Sequence, residues 1–498
     1  MKRLLTFCHA VIFCCMAFSQ NQNINWVFGD SVGLNFSGVE PTFFKTSIGT
    51  YEACTTLSDT MGNLLFYTNG QKVWNRENEI MPNGDSLPIS QTLAGAYFSS
   101  TTQGVIVMPM AEFSDVFYLI EIFNISDEFG LDSNGLCYSI IDMNLDGGNG
   151  DITEKNIPFY FEKPNEKMQA VRHANGRDWW LLIIQPNTID SSECFISFLI
   201  TPEGFSEPYT QCDVNEEVLP NFSNLGQMKF SVDGSKVVVT RGNYFSLYDF
   251  DRCTGKVSNY ISIKSSENDN SKLYGCEFSP DGRWVYFTSL YNINKCYLYQ
   301  FCVNCPGPII DTKSIIYELN SSVYYLGQIQ LGPDNKIYVA TPAAVVPSDI
   351  YSYQNQNLSV IQNPNGDAAT CNFDTLVVSL DDARSTYALP NLPNYNLGAL
   401  EGSECDTLTS VISQPVLREL QVFPNPASNY FTISVTDETL LLANLNAITF
   451  TTLSGGVVKT IRQPKSLTIY TGDLTAGFYL VTIRLKSGEE KKLNLIIQ

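Results

Sequence analysis

The chain has 498 residues, of which 44% are hydrophobic, 12% aromatic and only 16% charged, a composition that excludes a disordered chain and a length that suits two or three domains of about 150 residues. Its 30 Lys and Arg against 51 Asp and Glu leave a net charge of −21, which argues against nucleic acid and anionic membrane surfaces as partners. Only two histidines occur, His9 and His173. Once a leader is removed, a two-histidine zinc site is excluded, and any imidazole chemistry falls to His173.

Residues 1–19 read MKRLLTFCHAVIFCCMAFS, with Lys2 and Arg3 ahead of a mainly apolar run from Leu4 to Phe18. That run is shorter than the ~20 residues a membrane span requires. Ala17-Phe18-Ser19 puts small residues at the peptidase positions, so 1–19 is expected to be a signal peptide cut between Ser19 and Gln20. Losing Lys2 and Arg3 moves the charge from −21 to −23. No later segment approaches transmembrane length. An exported chain permits disulfides. Cys302 and Cys305 have zinc-like spacing but no second pair or neighbouring His, which favours a disulfide or buried thiols. Cys194 and Cys212 flank a hairpin-like stretch and form another candidate pair.

Beyond the leader, short runs of Val, Ile, Tyr, Phe and Thr alternate with Gly, Asn, Asp and Pro clusters, the pattern of an all-β chain. One unit recurs: QMKFSVDGSKVVVTR (227–241), GCEFSPDGRWVYFTS (275–289) and GQIQLGPDNKIYVAT (327–341). In each, a tight turn at Asp233, Asp281 or Asp334 joins two strands, and the Gly or Asn that follows tolerates the positive φ such a turn needs. Weaker copies lie at 56–68, 104–122 and 169–183. A mean period of about 53 over residues 21–400 predicts a β-propeller of about seven blades across 20–400. Its ring is expected to close by joining the N-terminal strand near Trp26–Phe28 to the last blade. Residues 401–417 are Ser/Thr-rich and read as a linker. Residues 418–498 carry six or seven short strands, as in a small, immunoglobulin-like β-sandwich.

The strong copies, FSPDGRWVYFTS above all, resemble the WD-like repeats of secreted bacterial propellers. NWVFGDSVGLNFSG (25–38), TLSDTMGNLLFYTNGQKVWN (56–75), YDFDRCTG (248–255) and NPNGDAATCNF (363–373) resemble a family of surface-exported propellers in Bacteroidota that has no assigned chemistry. The C-terminal unit resembles the type A C-terminal sorting domain of the type IX secretion system. The matching residues are Pro424, Asn425, Pro426 and Ala427, then Leu474, Ala476, Gly477 and Tyr479, and a final basic strand through Lys491 and Lys492. The resemblance implies Sec export, the type IX machinery as partner, and delivery to the cell surface or medium.

Chemical motifs are sparse. Asp142, Asn144 and Asp146, with Gly147, copy half of a calcium loop, but position twelve is Thr153, so a hairpin turn is the stronger expectation and no cofactor is assigned. His173 has no Gly-x-Ser-x-Gly partner and reads as structural. The pairs Asp381-Asp382 and Glu216-Glu217 read as solvated faces rather than glycosidase carboxylates. The expected function is an exported binding or adhesion protein with a glycan or protein ligand and no catalytic residues. The alternatives are a secreted hydrolase, betrayed by an acid cluster at one mouth of the channel, and a structural component of a surface or gliding assembly.

Overall fold

The computed structural model describes residues 21–88, 101–113, 115–126, 132–186, 193–212, 224–265, 272–290, 294–344, 350–406, 420–434, 441–442, 445–452, 456–462, 464–485 and 490–498. The expected leader, with Ser19 and Gln20, and the pair Glu216-Glu217 lie outside the described residues. Two compact units divide between Asp406 and Thr407. The body therefore runs past the boundary expected at residue 400, and residues 401–406 belong to it rather than to a linker.

Seven antiparallel sheets follow one another along the first unit. Sheet 1 holds Asn25–Phe28, Asp30–Asn35 and Thr42–Gly49, and sheet 2 holds Thr55–Ser58, Leu64–Thr68 and Val73–Asn75. Sheets 3 to 7 begin at Val105–Pro109, Met168–Arg172, Met228–Phe230, Lys272–Phe278 and Ile329–Leu331, and each of these inner strands starts a run of hairpins. Every repeat picked out in the sequence is the first hairpin of a sheet. The turns are built as their residues require. Ser231 and Ser279 donate to Asp233 and Asp281 at 2.6 Å, and the next residue adopts positive φ, +72° at Gly234, +67° at Gly282 and +62° at Asn335.

Aromatic pairs fill the seams between sheets: Phe66–Phe117, Phe159–Phe198, Phe195–Tyr248, Phe245–Phe287 and Tyr317–Phe373, with ring centroids 4.3–5.7 Å apart. The NPNGD segment serves a seam too. Tyr286 donates to Pro364 O (2.9 Å) and Trp284 Nε1 to Asn365 O (3.1 Å), which docks sheet 7 on sheet 6. The ring closes where Trp26 and Phe36 of sheet 1 meet Tyr338 of sheet 7 at 5.4 and 5.2 Å. The result is a seven-bladed propeller.

Closure differs from expectation in one respect. Asn25–Phe28 does not join the last sheet; it heads its own, and it runs against its neighbour. Val27 N bonds Thr56 Oγ1, while Asn25 Nδ2 bonds Ser58 Oγ, both at 2.9 Å. Elsewhere neighbouring inner strands run the same way, as Gln227 N to Tyr274 O (2.8 Å) and Leu331 N to Glu277 Oε2 (3.0 Å) show for sheets 5 to 7. The strand that heads sheet 1 thus runs against the common direction, and residues 384–398 run down that side. They enter at the Asp30–Arg384 bridge, pass Tyr51 and Cys54 (Ala388 N and Asn391 N, 2.9 and 2.8 Å), then Val107 (Tyr395 OH, 2.9 Å). They leave where Arg252 Nη2 donates to Gly398 O. Leu389, Leu392 and Tyr395 are buried, so the chain fills its own channel.

Disulfides join Cys194 to Cys212 and Cys302 to Cys305, the two candidate pairs, and also Cys253 to Cys405, which ties the end of the unit to a turn of sheet 5. Cys54, Cys137, Cys276, Cys296 and Cys371 are buried thiols.

The second unit is a β-sandwich. Gln421–Phe423, Tyr430–Ser434 and Thr468–Tyr470 form one sheet; Leu445–Thr452, Val457–Arg462, Gly477–Leu485 and Glu490–Ile497 form the other. Phe431, Ile433, Phe450, Val481 and Leu495 are fully buried between them.

Candidate functional site

Inward-facing residues of the inner strands stack in layers, because alternate residues of a strand share a face. The middle layer is made of amides. Gln103 Nε2 donates across the ring to Met228 O (3.0 Å), and its Oε1 accepts Met228 N (2.7 Å). Gln227 Oε1 takes the N–H of both Cys276 and Ile329, and Gln328 Nε2 reaches Thr102 O at 2.8 Å. At the centre sits Asn391. Its amide donates to Val105 O and Met168 O (3.1 and 3.0 Å) and accepts from Gln103 and Gln169 (3.0 and 3.1 Å). This girdle separates an upper mouth from a lower cavity.

At the upper mouth stand two half-buried glutamates, Glu52 ahead of sheet 2 and Glu166 ahead of sheet 4. Tyr274 donates its hydroxyl to Glu52, and Thr102 donates both N–H (3.1 Å) and hydroxyl (2.9 Å) to Glu166. Burial raises both carboxyls, Glu52 well above the usual range, and the negative charge of Glu166 adds to the rise at Glu52. Beside them burial pulls the Lys167 ammonium down to about 8, against the opposing pull of Glu193 and Glu166.

Below the girdle lies a cavity of about 470 Å³ that opens toward the repeat turns. Lys229, Glu277 and Gln330 line it, two residues on from the girdle layer. Lys229 Nζ lies 3.6 Å from Glu277 and donates to Gln330 Oε1. Glu277 accepts the N–H of Phe278 and Leu331 at 3.0 Å each. Burial raises its carboxyl even with Lys229 opposing. Asn21, Asn335 and Asn394 lie around the rim, and Phe230, Leu331 and Leu392 supply apolar wall.

None of the residues singled out from the sequence lines this cavity. His173 is buried in a turn of sheet 4, where Nδ1 accepts Asn175 N (3.1 Å), so the proton sits on Nε2 and goes to Cys253 O (3.0 Å). Asp142 and Asn144 bond each other in the hairpin that leads to Asp151–Tyr160, and Asp146 opens a short 3-10 turn there. Among the described residues no three His, Cys, Asp or Glu side chains gather for a metal. Asp382 pairs with exposed Lys45. The glutamines and the Lys229–Glu277 pair were missed, although a signal exists: Gln stands within one residue of the start of four of the six repeat copies, at 103, 169, 227 and 328.

In the second unit the motif residues clasp the last strand. Asn425 donates to Asn494 O (2.8 Å) and accepts Ile496 N (2.9 Å), and Ala427 N bonds Ile496 O (2.8 Å). Tyr479 donates to Thr475 O (2.7 Å), which closes the Leu474–Gly477 turn, and Leu474 packs against the core. The two motifs far apart in sequence are therefore parts of one folded unit.

A seven-bladed propeller followed by a sandwich with this clasp defines the class of protein. Residues 421–498 match the family of the secretion system C-terminal sorting domain. The chain thus carries a type IX secretion sorting domain, which marks it for secretion or the cell surface. No curated protein matches the sequence. Among solved structures the chain is similar to the periplasmic gluconolactonase of Pseudomonas aeruginosa, at 10% identity and a TM-score of 0.36 over 95% of this chain and 96% of that one. It is similar to a functionally unknown protein from Desulfotomaculum acetoxidans, at 11% and 0.36 over 80% and 94%. The propeller domain of Cps50 (Swd1) from Myceliophteria thermophila gives 10% and 0.34 over 65% and 94%. The fold assignment rests on the seven sheets themselves.

Proposed function

We propose that the chain is an exported propeller that binds an extracellular ligand without turning it over. It leaves the cell by signal-peptide export followed by the type IX machinery acting on its C-terminal domain. The observation that carries this is the filled channel. Where a propeller gathers catalytic groups around its axis, residues 384–398 and the amide girdle occupy the space, and the polar groups below already pair with one another. The test is to incubate the purified full chain with glycan and peptide arrays while following both capture and product release. Capture without product is expected, and His173→Ala should retain it. Product formation abolished by a single carboxylate substitution overturns the proposal.

A second reading, a secreted hydrolase, draws on Glu52 and Glu166, an acid pair at one mouth with raised carboxyls. Against it, each carboxyl is engaged by a protein hydroxyl that links different sheets. Loss of turnover in both Glu52→Gln and Glu166→Gln would favour the hydrolase.

A further inference from the structure

Inner strands are sheet edges, and from the girdle down to Leu331 at the cavity wall several of their donors are already capped by side chains. Met228 N goes to Gln103 (2.7 Å), Cys276 and Ile329 N to Gln227 (3.2 and 3.1 Å), Phe278 and Leu331 N to Glu277 (3.0 Å each). A peptide cannot add as another strand to an edge whose N–H groups are taken. Charge is closed as well. The side chains of Lys229 and Glu277 are 4% and 6% exposed and neutralise each other. A charged ligand would split that pair or be buried without a partner, and either weakens binding.

Hydrogen-bonding capacity remains. An ammonium has three donors, and Lys229 gives to Gln330 and faces Glu277. A carboxylate offers about four lone-pair directions, more than the two backbone N–H groups and the ammonium use at Glu277. A donor and an acceptor lie side by side, which suits a group that both donates and accepts. A hydroxyl is such a group, with donor and acceptor on one atom. Leu331, Pro333 and Leu392 supply apolar wall for C–H faces, and about 470 Å³ falls within the ~300–1,000 Å³ of small-molecule sites.

The geometry points to a neutral saccharide: the lower cavity is a site for the end of an uncharged glycan, held through hydroxyls that bridge Lys229, Glu277 and Gln330. This rests on the binding function proposed above and names its ligand class.

Saturation-transfer NMR on the full chain tests it with cellotriose, maltotriose and mannotriose, with tri-galacturonate, and with a blocked tetra-alanine peptide. At least one neutral trisaccharide should bind and tri-galacturonate should not. Gln330→Ala should weaken binding about tenfold or more while lowering the melting temperature by no more than about 4 °C, the cost of taking one buried acceptor from Lys229. The double variant Lys229→Met/Glu277→Gln removes both charges together but leaves one of the two N–H groups at Glu277 unaccepted, so it should melt a few degrees lower, still fold and lose the sugar. The inference is overturned if no neutral probe binds, if tri-galacturonate or the peptide binds instead, or if both variants bind normally. Peptide capture alone would still leave a binding protein. Trisaccharide cleavage abolished by Gln330→Ala would keep the saccharide site and overturn the absence of turnover.

Discussion

Replacing Asn391 by alanine should loosen the whole ring, because one amide serves two sheets and two other amides. The substitution removes four hydrogen bonds of 3.0–3.1 Å at a residue only 4% exposed. Gln103 keeps Met228 O with one N–H, and Val105 O, Met168 O, the other Gln103 N–H and one Gln169 N–H lose this partner. A buried polar group stripped of its partner costs about 1–3 kcal/mol, and a water filling the vacated amide volume returns part of that. A net loss of about 3–6 kcal/mol follows. For a unit of roughly 390 residues the unfolding entropy corresponds to about 0.8 kcal/mol per degree, so melting should fall by about 4–7 °C. Asn391→Asp is the sharper probe. It is nearly isosteric, but an ionised carboxylate would aim an acceptor at the Val105 and Met168 carbonyls, so the loss should exceed that of alanine and grow as pH rises. Scanning calorimetry of the full chain across pH 5–8 reads both. Melting within about 1 °C of the parent for both variants would refute a bracing role for the girdle.

Two further outcomes are expected. The carboxyls of Glu52 and Glu166 are raised above their ordinary value of 4.5, so the folded state holds these protons more tightly than the unfolded one. Their contribution is complete below about 4.5 and is lost as pH climbs through the raised values. Wild-type melting should therefore decline on that limb, and the Glu52→Gln/Glu166→Gln double variant should flatten it; identical pH profiles would contradict the assignment. Lys167, pulled down to about 8, titrates at the upper end, and because the Glu166 charge props it up, the double variant should lower it further. Deleting residues 418–498 should leave a folded propeller retained inside the cell envelope, as fractionation and immunoblotting would show; wild-type release would refute the sorting role of the tail.

The hairpins were legible because their signals are local. The pair Asp233-Gly234 or Asp281-Gly282 specifies a turn by its own φ preferences, and alternation of apolar residues specifies the flanking strands. The channel was not legible in the same way. Gln103, Gln169, Gln227 and Gln328 stand in the sequence as ordinary polar residues at strand heads. What makes them a girdle is contact over long separations, such as Gln328 to Thr102, 226 residues away. Lys229 and Glu277 likewise look like surface charges until two different sheets bring them within 3.6 Å. The linker expected from residue 401 illustrates the opposite error. Its Ser/Thr-rich texture suggested independence, yet Cys405 is bonded to Cys253, 152 residues earlier.

The sequence by itself determined the all-β class, the hairpin at the head of each repeat, a count of about seven from the period, and a sorting domain from paired motifs. All of these follow from neighbours along the chain: positive-φ turn residues, period-two alternation and spacing. Only the tertiary structure decided the reversed strand at Asn25–Phe28, the segment 384–398 inside the ring, the acid pair at Glu52 and Glu166, and the cavity around Lys229. Each depends on which distant residues become buried together. Burial turns an unremarkable polar side chain into one that must find a partner, and nothing in its sequence neighbourhood records that requirement.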